Sequence, residues 1–481
     1  MKIYAPNIHL FAFQLYKGAN VDENSLKKED IQLWNSANDI VSNTLKYNLQ
    51  LTRRIVDVEN EPKGVLVDLI KLSEVKDGDY SINFDGNFID NQNQKLLIKG
   101  FVYPIKIYDS YAFWLNLRRP EKEIDDKTLT KDVDISLLSK FNPDNCLTLI
   151  PDKYFLGQTL LITAWITLED KQNQTNRYNI AKECLTAIFP KSDNKPEFNR
   201  QAKLFGSPIF EYGLFSQLEN YQHVIIWLFD NPKADEKLNQ CYQELLDLFF
   251  FRSKIVKAFQ DSRIIYKQIA AAYDEIEKII EEIKSITVSD EITIEILNQL
   301  TEKLKDLPQE SLKYTRLLRN LKDYQNTIDI NRNNYQEKLR QISAATQDDN
   351  LSILETFYHQ DCERFYKQIN ADIGYFEQGS NLLEQATASI RGIVEIEQTK
   401  RDRRSLEADR NLNTTINTIG IGFGGGAIIS GVVVQHIDKI KQPLAPISPN
   451  NPLHPFYASL FISIAATLFF IGLGWLIAKR K

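Results

Sequence analysis

Two uncharged stretches near the end of the chain constrain it most. One, "NTIGIGFGGGAIISGVVV", covers 417–434, and the other, "FYASLFISIAATLFFIGLGWLIA", covers 456–478. A bilayer-crossing helix needs about 20 mostly apolar residues, with a lower limit near 17. The second stretch meets that length outright, and the first meets its lower limit. Coming so close together, they are expected to form a transmembrane hairpin. Phe456, Tyr457 and Trp475 lie near the ends of the second arm, where amphipathic rings favour the interface.

The glycines of the first stretch do not make a nucleotide loop. A P-loop needs Lys and Ser/Thr after its glycines, but Gly426 is followed by Ala427, Ile428 and Ile429. A dinucleotide fingerprint needs a preceding strand, whereas "RDRRSLEADRNLNTT" is polar and favours helix.

Positive residues set the orientation. Lys400, Arg401, Arg403, Arg404 and Arg410 precede the first stretch, and Lys479, Arg480 and Lys481 follow the second. Only Lys439 and Lys441 lie between them. Both ends are therefore expected on the cytoplasmic side. The opening "MKIYAPNIHLFAFQLYKG" lacks the apolar core and cleavage site of a signal peptide. A net charge of −6 argues against general nucleic-acid binding. Cys146, Cys184, Cys241 and Cys362 are far apart, with no Cys-x-x-Cys, and read as small buried hydrophobes.

Up to about Asp230 the pattern is mixed. "IHLFAFQLY", "KLLIKGFVYPIKIY", "TLLITAWITL" and "HVIIWLFD" read as strands, and "SLKKEDIQLWNSANDIVSNTL" and "NIAKECLTAIF" as helices. "DGDYSINFDGNFIDNQNQ" reads as a turn cluster. Beyond Pro232 the signals are helical. Ile265, Ile269, Ala272, Ile276, Ile279, Ile283 and Ile286 alternate spacings of four and three, which is a coiled-coil seam. Pro308 is expected to start a new helix. A second stripe runs through Leu354, Tyr358, Cys362, Phe365, Ile369 and Phe376 to Leu383, Ala386, Ile390 and Ile393. Gly374, Gly379 and Gly392 are candidate kinks. The helices fit either an antiparallel bundle within one chain or an oligomeric stalk.

These readings give an α+β chain. Residues 1–230 form a cytoplasmic α/β domain and 231–412 a helical, coiled-coil stalk. A first transmembrane helix follows over 413–435, a proline-rich external loop over 436–455 and a second transmembrane helix over 456–478. Residues 479–481 are a basic cytoplasmic tail. In order and topology this plan resembles the CorA-type magnesium transporter superfamily, most clearly from Leu351 to Lys481. The resemblance implies a homo-oligomer, a pentamer as in that family, whose first span lines an ion pore. Divergent members act as membrane effectors beside CRISPR systems. The family's Gly-Met-Asn signature has no counterpart here: the corresponding region reads "VVVQHIDKI", and the one Met is Met1. Topology is therefore carried over, and no metal-binding residue is.

On a helical wheel Asn413, Asn417, Gly420, Gly424, Ala427 and Gly431 fall within about 40° of one direction. That face is expected to line a passage, with asparagines at its mouth. Gly422, Gly426 and Ser430 form a second row suited to close helix packing. Packing contacts alone also explain the glycines. Pro443, Pro446, Pro449, Pro452 and Pro455 recur every third residue, the period of a polyproline II spacer. Asp438, His436 and His454 mark that loop. No catalytic set is evident, because His9, His223 and His359 fall in different elements. Arg53, Arg54, Arg118 and Arg119 are candidate anion contacts or solvated faces. No cofactor is implied. The partners expected are the lipid bilayer, further copies of the chain, and a small-molecule or nucleotide ligand on the cytoplasmic domain. The reading is an ion channel, transporter or membrane effector governed by that domain; the alternative is a membrane-anchored scaffold that conducts nothing.

Overall fold

β1 (Lys2–Leu15) is the strand around which the rest of the sheet is built. The structure, a computed structural model, describes residues 1–16, 32–56, 65–90, 93–125, 127–167, 174–191, 195–287, 292–347 and 350–406, with 461, 464–466, 468–470 and 472. β1 pairs with β5 (Ser110–Arg118) on one side and β7 (Phe155–Ile166) on the other, antiparallel to both. Adding β2 (Leu66–Asp68), β4 (Lys95–Ile107), β8 (Phe198–Leu204), β9 (Ser207–Tyr212) and β10 (His223–Phe229) gives the order β2-β4-β5-β1-β7-β10-β9-β8. β3 (Ile82–Ile89) pairs with β4, and β6 (Val133–Asp134) with β1. β10 runs parallel to β7. A parallel neighbour needs a crossover, and α3 (Gln174–Ile188) lies in that connection.

Alternation along the strands divides the core. Ile8, Leu10 and Ala12 of β1, and Val224, Ile226 and Leu228 of β10, join one apolar cluster. Leu33, Trp34, Ala37, Ile40 and Val41 of α1 (Gln32–Leu45) belong to it, as do Ile180, Ala181, Cys184, Leu185 and Ile188 of α3. Both helix sets repeat at three- and four-residue intervals, the period of one buried helical face. The residues between them in β1, His9, Phe11 and Phe13, point the other way. They meet Tyr242, Phe249 and Phe250, with ring centroids 5.6, 5.2 and 5.5 Å apart.

Those three rings begin α5 (Tyr242–Thr287), which follows α2 (Leu51–Arg54), α3 and α4 (Pro232–Gln240) in the helix series. Asn231 caps α4 through its side chain on Ala234 N–H, and Pro232 occupies the first turn, where its missing N–H costs nothing. Next come α6 (Ile294–Thr346), α7 (Ser352–Thr356), a π-helical turn (Phe357–Cys362) and α8 (Glu363–Leu406). The chain forms two compact units. One holds Met1–Tyr266 with Asn320–Asp372; the other holds Lys267–Arg319 and the described residues from Ile373 on. In the second unit three helices of one chain meet: the Tyr273 ring of α5 lies 5.4 Å from that of Tyr375 of α8, tilted by 43°, and Tyr314 Oη of α6 donates to Phe376 O of α8 at 2.7 Å.

The α+β class, with an N-terminal sheet domain and long helices, stands. Four expectations change. β3 runs through the supposed turn cluster, and β5, β8 and β9 are further strands. Pro308 lies inside α6 and starts no helix. Leu297, Leu300, Leu307 and Tyr314 are buried on both sides of it, so packing overrides the local break. α8 is continuous through Gly374, Gly379 and Gly392, so none of them ends it. Gly379 serves close approach instead: a Cβ there would stand 2.2 Å from Tyr314 Oη. In the α5 seam Ile269, Ile276 and Ile283 are buried, while Ile265, Ala272, Ile279 and Ile286 are half-exposed. The buried stripe thus has a seven-residue repeat, narrower than the full set.

Candidate functional site

The side of the sheet that faces α5 carries charge where its pattern would suggest only apolar residues. On β9, Phe210 and Tyr212 enter the apolar cluster, so Ile209 and Glu211 face the other way. Glu211 is buried, and only pairing makes a buried carboxylate tolerable. Arg252 of α5 donates to Glu211 Oε1 at 2.6 Å and to Tyr221 Oη at 2.8 Å. Arg200 of β8 places Nε 2.7 Å from Glu211 Oε2, an ion pair without hydrogen-bond alignment. Its terminal nitrogen reaches Asp361 in the π turn. His223 Nε2 lies 3.4 Å from Glu211 Oε1, while its Nδ1 is 2.8 Å from Thr159 Oγ1. Two arginines thus face two carboxylates around a neutral imidazole that donates from Nε2 and accepts at Nδ1.

The electrostatics follow from burial. Burial and then Arg252 push the His223 imidazole down to about 4. Burial alone would raise the Glu211 carboxyl, but Arg252, His223 and Arg200 outweigh it and hold it at about 2. Burial drives the Cys362 thiol up to about 12, so it is no nucleophile. The void beside Glu211, His223, Arg252 and Tyr335 is about 10 Å³, room for one water at most. No substrate fits there. This cluster holds elements in place: it ties β8, β9, β10 and α5 to the π turn.

The π turn is gripped from several sides. The Arg252 guanidinium lies 4.0 Å over the Phe357 ring. Tyr335 of α6 donates to Leu354 O at 3.0 Å, just before the turn. Arg332 pairs with Glu363 at 2.7 Å, just after it. π turns are rare and recur at functional sites. Beside this one, α6, α7 and the turn line an open cleft of about 380 Å³, with Leu339, Arg340, Ser343, Glu355, Tyr358 and His359 among its walls. That volume is in the range of small-molecule sites.

The histidines are not brought together. His9 lies in β1, held at Nδ1 by Trp114 Nε1 (3.2 Å) and Asn116 Nδ2 (3.1 Å), and burial with Arg118 lowers it to about 3. His223 belongs to the ion cluster, and His359 is exposed at the cleft. Arg119 is no solvated residue: it is buried, donating to Leu97 O at 3.1 Å and Glu123 Oε1 at 2.6 Å. Arg118 and Arg53 are exposed, and Arg54 lies 3.7 Å from Glu74. Asn413, Asn417, Gly420, Gly424, Ala427, Gly431, Gly422, Gly426 and Ser430 lie outside the described residues, as do His436, Asp438, His454 and the proline row. Among the described residues no helix is long and apolar enough to cross a membrane, and no group of three or more His, Cys, Asp or Glu could hold a metal ion.

No family model and no curated protein matches the chain. Among solved structures, the complete CorA magnesium transporter from Methanocaldococcus jannaschii aligns over 67% of this chain and 92% of that one, at 11% identity and a TM-score of 0.18. A superposition that loose carries no argument about fold or function.

Proposed function

We propose that this is an oligomeric, two-span membrane protein of CorA-like plan, with both ends in the cytoplasm. Its sheet domain and helices govern ion passage, or bilayer disruption, at the hairpin over 413–478. One observation carries the membrane reading. Within the uncharged stretch 456–478, Phe461, Ile464, Leu468 and Phe469 are helical. These large apolar side chains are 62%, 47%, 62% and 62% exposed, and exposed apolar side chains within a stretch long enough to span suit lipid. The passage is assigned to the face from Asn413 to Gly431, with Asn417 at its mouth. The cleft beside the π turn supports control by a small ligand.

The test is oligomer mass in detergent beside ion flux in liposomes, for the parent and for Gly424→Val. Intact oligomers with flux reduced at least about tenfold in the variant are expected, since bulk on a lumen face blocks passage. If Gly424→Val instead dissociates the oligomer, the glycine face serves packing. A monomeric, non-conducting parent would overturn the pore and leave the membrane-anchored scaffold as the better reading.

A further inference from the structure

We infer that the cleft between α6 and the π turn is a binding site for a small aromatic anion that also carries a hydrogen-bond donor. Binding itself does not depend on the membrane reading; only its consequence for the hairpin does. Leu339, Arg340 and Ser343 lie at three- and four-residue spacings on one face of α6 and form one wall. Glu355, Tyr358 and His359 form the other. An i→i+5 turn packs more residues into each revolution than an α-helix does. Successive side chains are therefore splayed less, and two adjacent rings can share one cleft. The Tyr358 and His359 rings stand edge to face, 4.8 Å apart at 75°. The Arg332 guanidinium lies 4.9 Å over Tyr358 and steadies that ring.

The lining selects its ligand. Two rings beside Leu339 favour a flat apolar body. Arg340, whose partner is Glu337 of its own helix at 3.2 Å, offers a planar fork that suits a carboxylate or phosphate. An exposed pair within one turn is worth little, so a ligand anion can replace it. Glu355 faces the same space and only accepts, so the ligand must bring a donor. A ligand seated there touches Tyr358 and His359 within the turn that Arg200 and Arg252 grip from the sheet side. Occupancy would therefore be felt where α8 begins.

The experiment titrates the full chain in detergent with 4-hydroxybenzoate and 4-hydroxyphenyl phosphate, with tyramine as the ligand of opposite charge, by calorimetry. At least one anion should bind saturably and tyramine should not; which anion binds tells a carboxylate from a phosphate ligand. Arg340→Gln should weaken binding about tenfold or more, as expected for one lost charge-assisted contact. Tyr358→Leu should also weaken it, while Lys313→Gln, an exposed lysine elsewhere on α6, should leave it unchanged. Arg340 and Lys313 are exposed, so those variants are expected to fold, and circular dichroism checks all three. No saturable binding of either anion, equal binding of tyramine, or affinity that survives Arg340→Gln would each overturn the assignment.

Discussion

The three long helices are built differently at their two ends. In the sheet-bearing unit, α5 buries Leu245, Leu246, Leu248, Phe249, Phe250 and Phe251 almost without interruption. Several of its charges there are paired across elements: Arg252 with the buried Glu211, Lys254 with Asp109 at 2.6 Å, and Arg263 with Asp372. In the second unit the same helix buries about one residue in seven. The pairs there include Lys278–Glu275, Lys305–Glu302 and Lys313–Glu310, each within one helix and at least about half exposed. Exposed pairs of this kind contribute about 0–1 kcal/mol, whereas breaking a buried one leaves a charge without compensation. One end is fixed by specific chemistry, the other by a narrow apolar stripe.

The comparison breaks first at Arg252. Arg252→Leu leaves Glu211 buried beside Arg200 and a neutral His223. The expected loss is about 3–5 kcal/mol, read as an earlier urea transition of the sheet-bearing unit. A loss below about 1 kcal/mol would mean that the cluster is no clamp.

Acid tests the same contrast more gently. The unfolded His223 imidazole takes its proton near pH 6.5, the folded one only near 4. Protonation in that window therefore favours the unfolded chain. The stability is fully present above about 6.5, falls as the pH drops to 4, and levels off below that. His223 should account for a loss of about 3 kcal/mol, and His9 acts in the same direction. His223→Gln should flatten the slope of stability against pH. The described residues of the second unit contain no histidine, so its intrinsic-rate-corrected amide protection should barely change between about pH 6.5 and 5.

The smallest effect belongs to the far end. Gly379→Ala puts a methyl against Tyr314 Oη and its hydrogen bond to Phe376 O. Overpacking of this kind costs about 1–3 kcal/mol. It should show as faster amide exchange around Tyr314 and Phe376, with the sheet unaffected. Unchanged exchange there would mean that the tyrosine does not pin α8.

The contrast also explains what the sequence could disclose. Strands β1, β4, β7 and β10 were legible because their apolar, aromatic and β-branched runs are long, and β10 is buried along its whole length. β3 alternates cleanly, with Ile82, Phe84 and Phe88 inward and Asn83, Asp85 and Asn87 outward, but its Asp, Asn and Gly also spell a turn. The helical stripes were legible because 3.6-residue periodicity is local. The ion cluster was not, because Arg252 and Glu211 are 41 positions apart and Arg200 and Asp361 are 161 apart. Its one local sign was a lone Glu within the buried strand "SPIFEY". The π turn has no side-chain signature of its own, and the cleft arises only where that turn meets α6.

The position of β1 bears on how the chain is made. Leu10 sits between Leu115 and Leu160, with no nearer strand to pair with. β1 is synthesised before both of its partners: one edge stays open until β5 has been made, and the other until β7 has. For most of that interval "IHLFAFQL" is an apolar segment without charge or proline, the kind that seeks other strand edges. Synthesis of this protein therefore includes an interval in which one edge of this apolar strand is open to other strand edges.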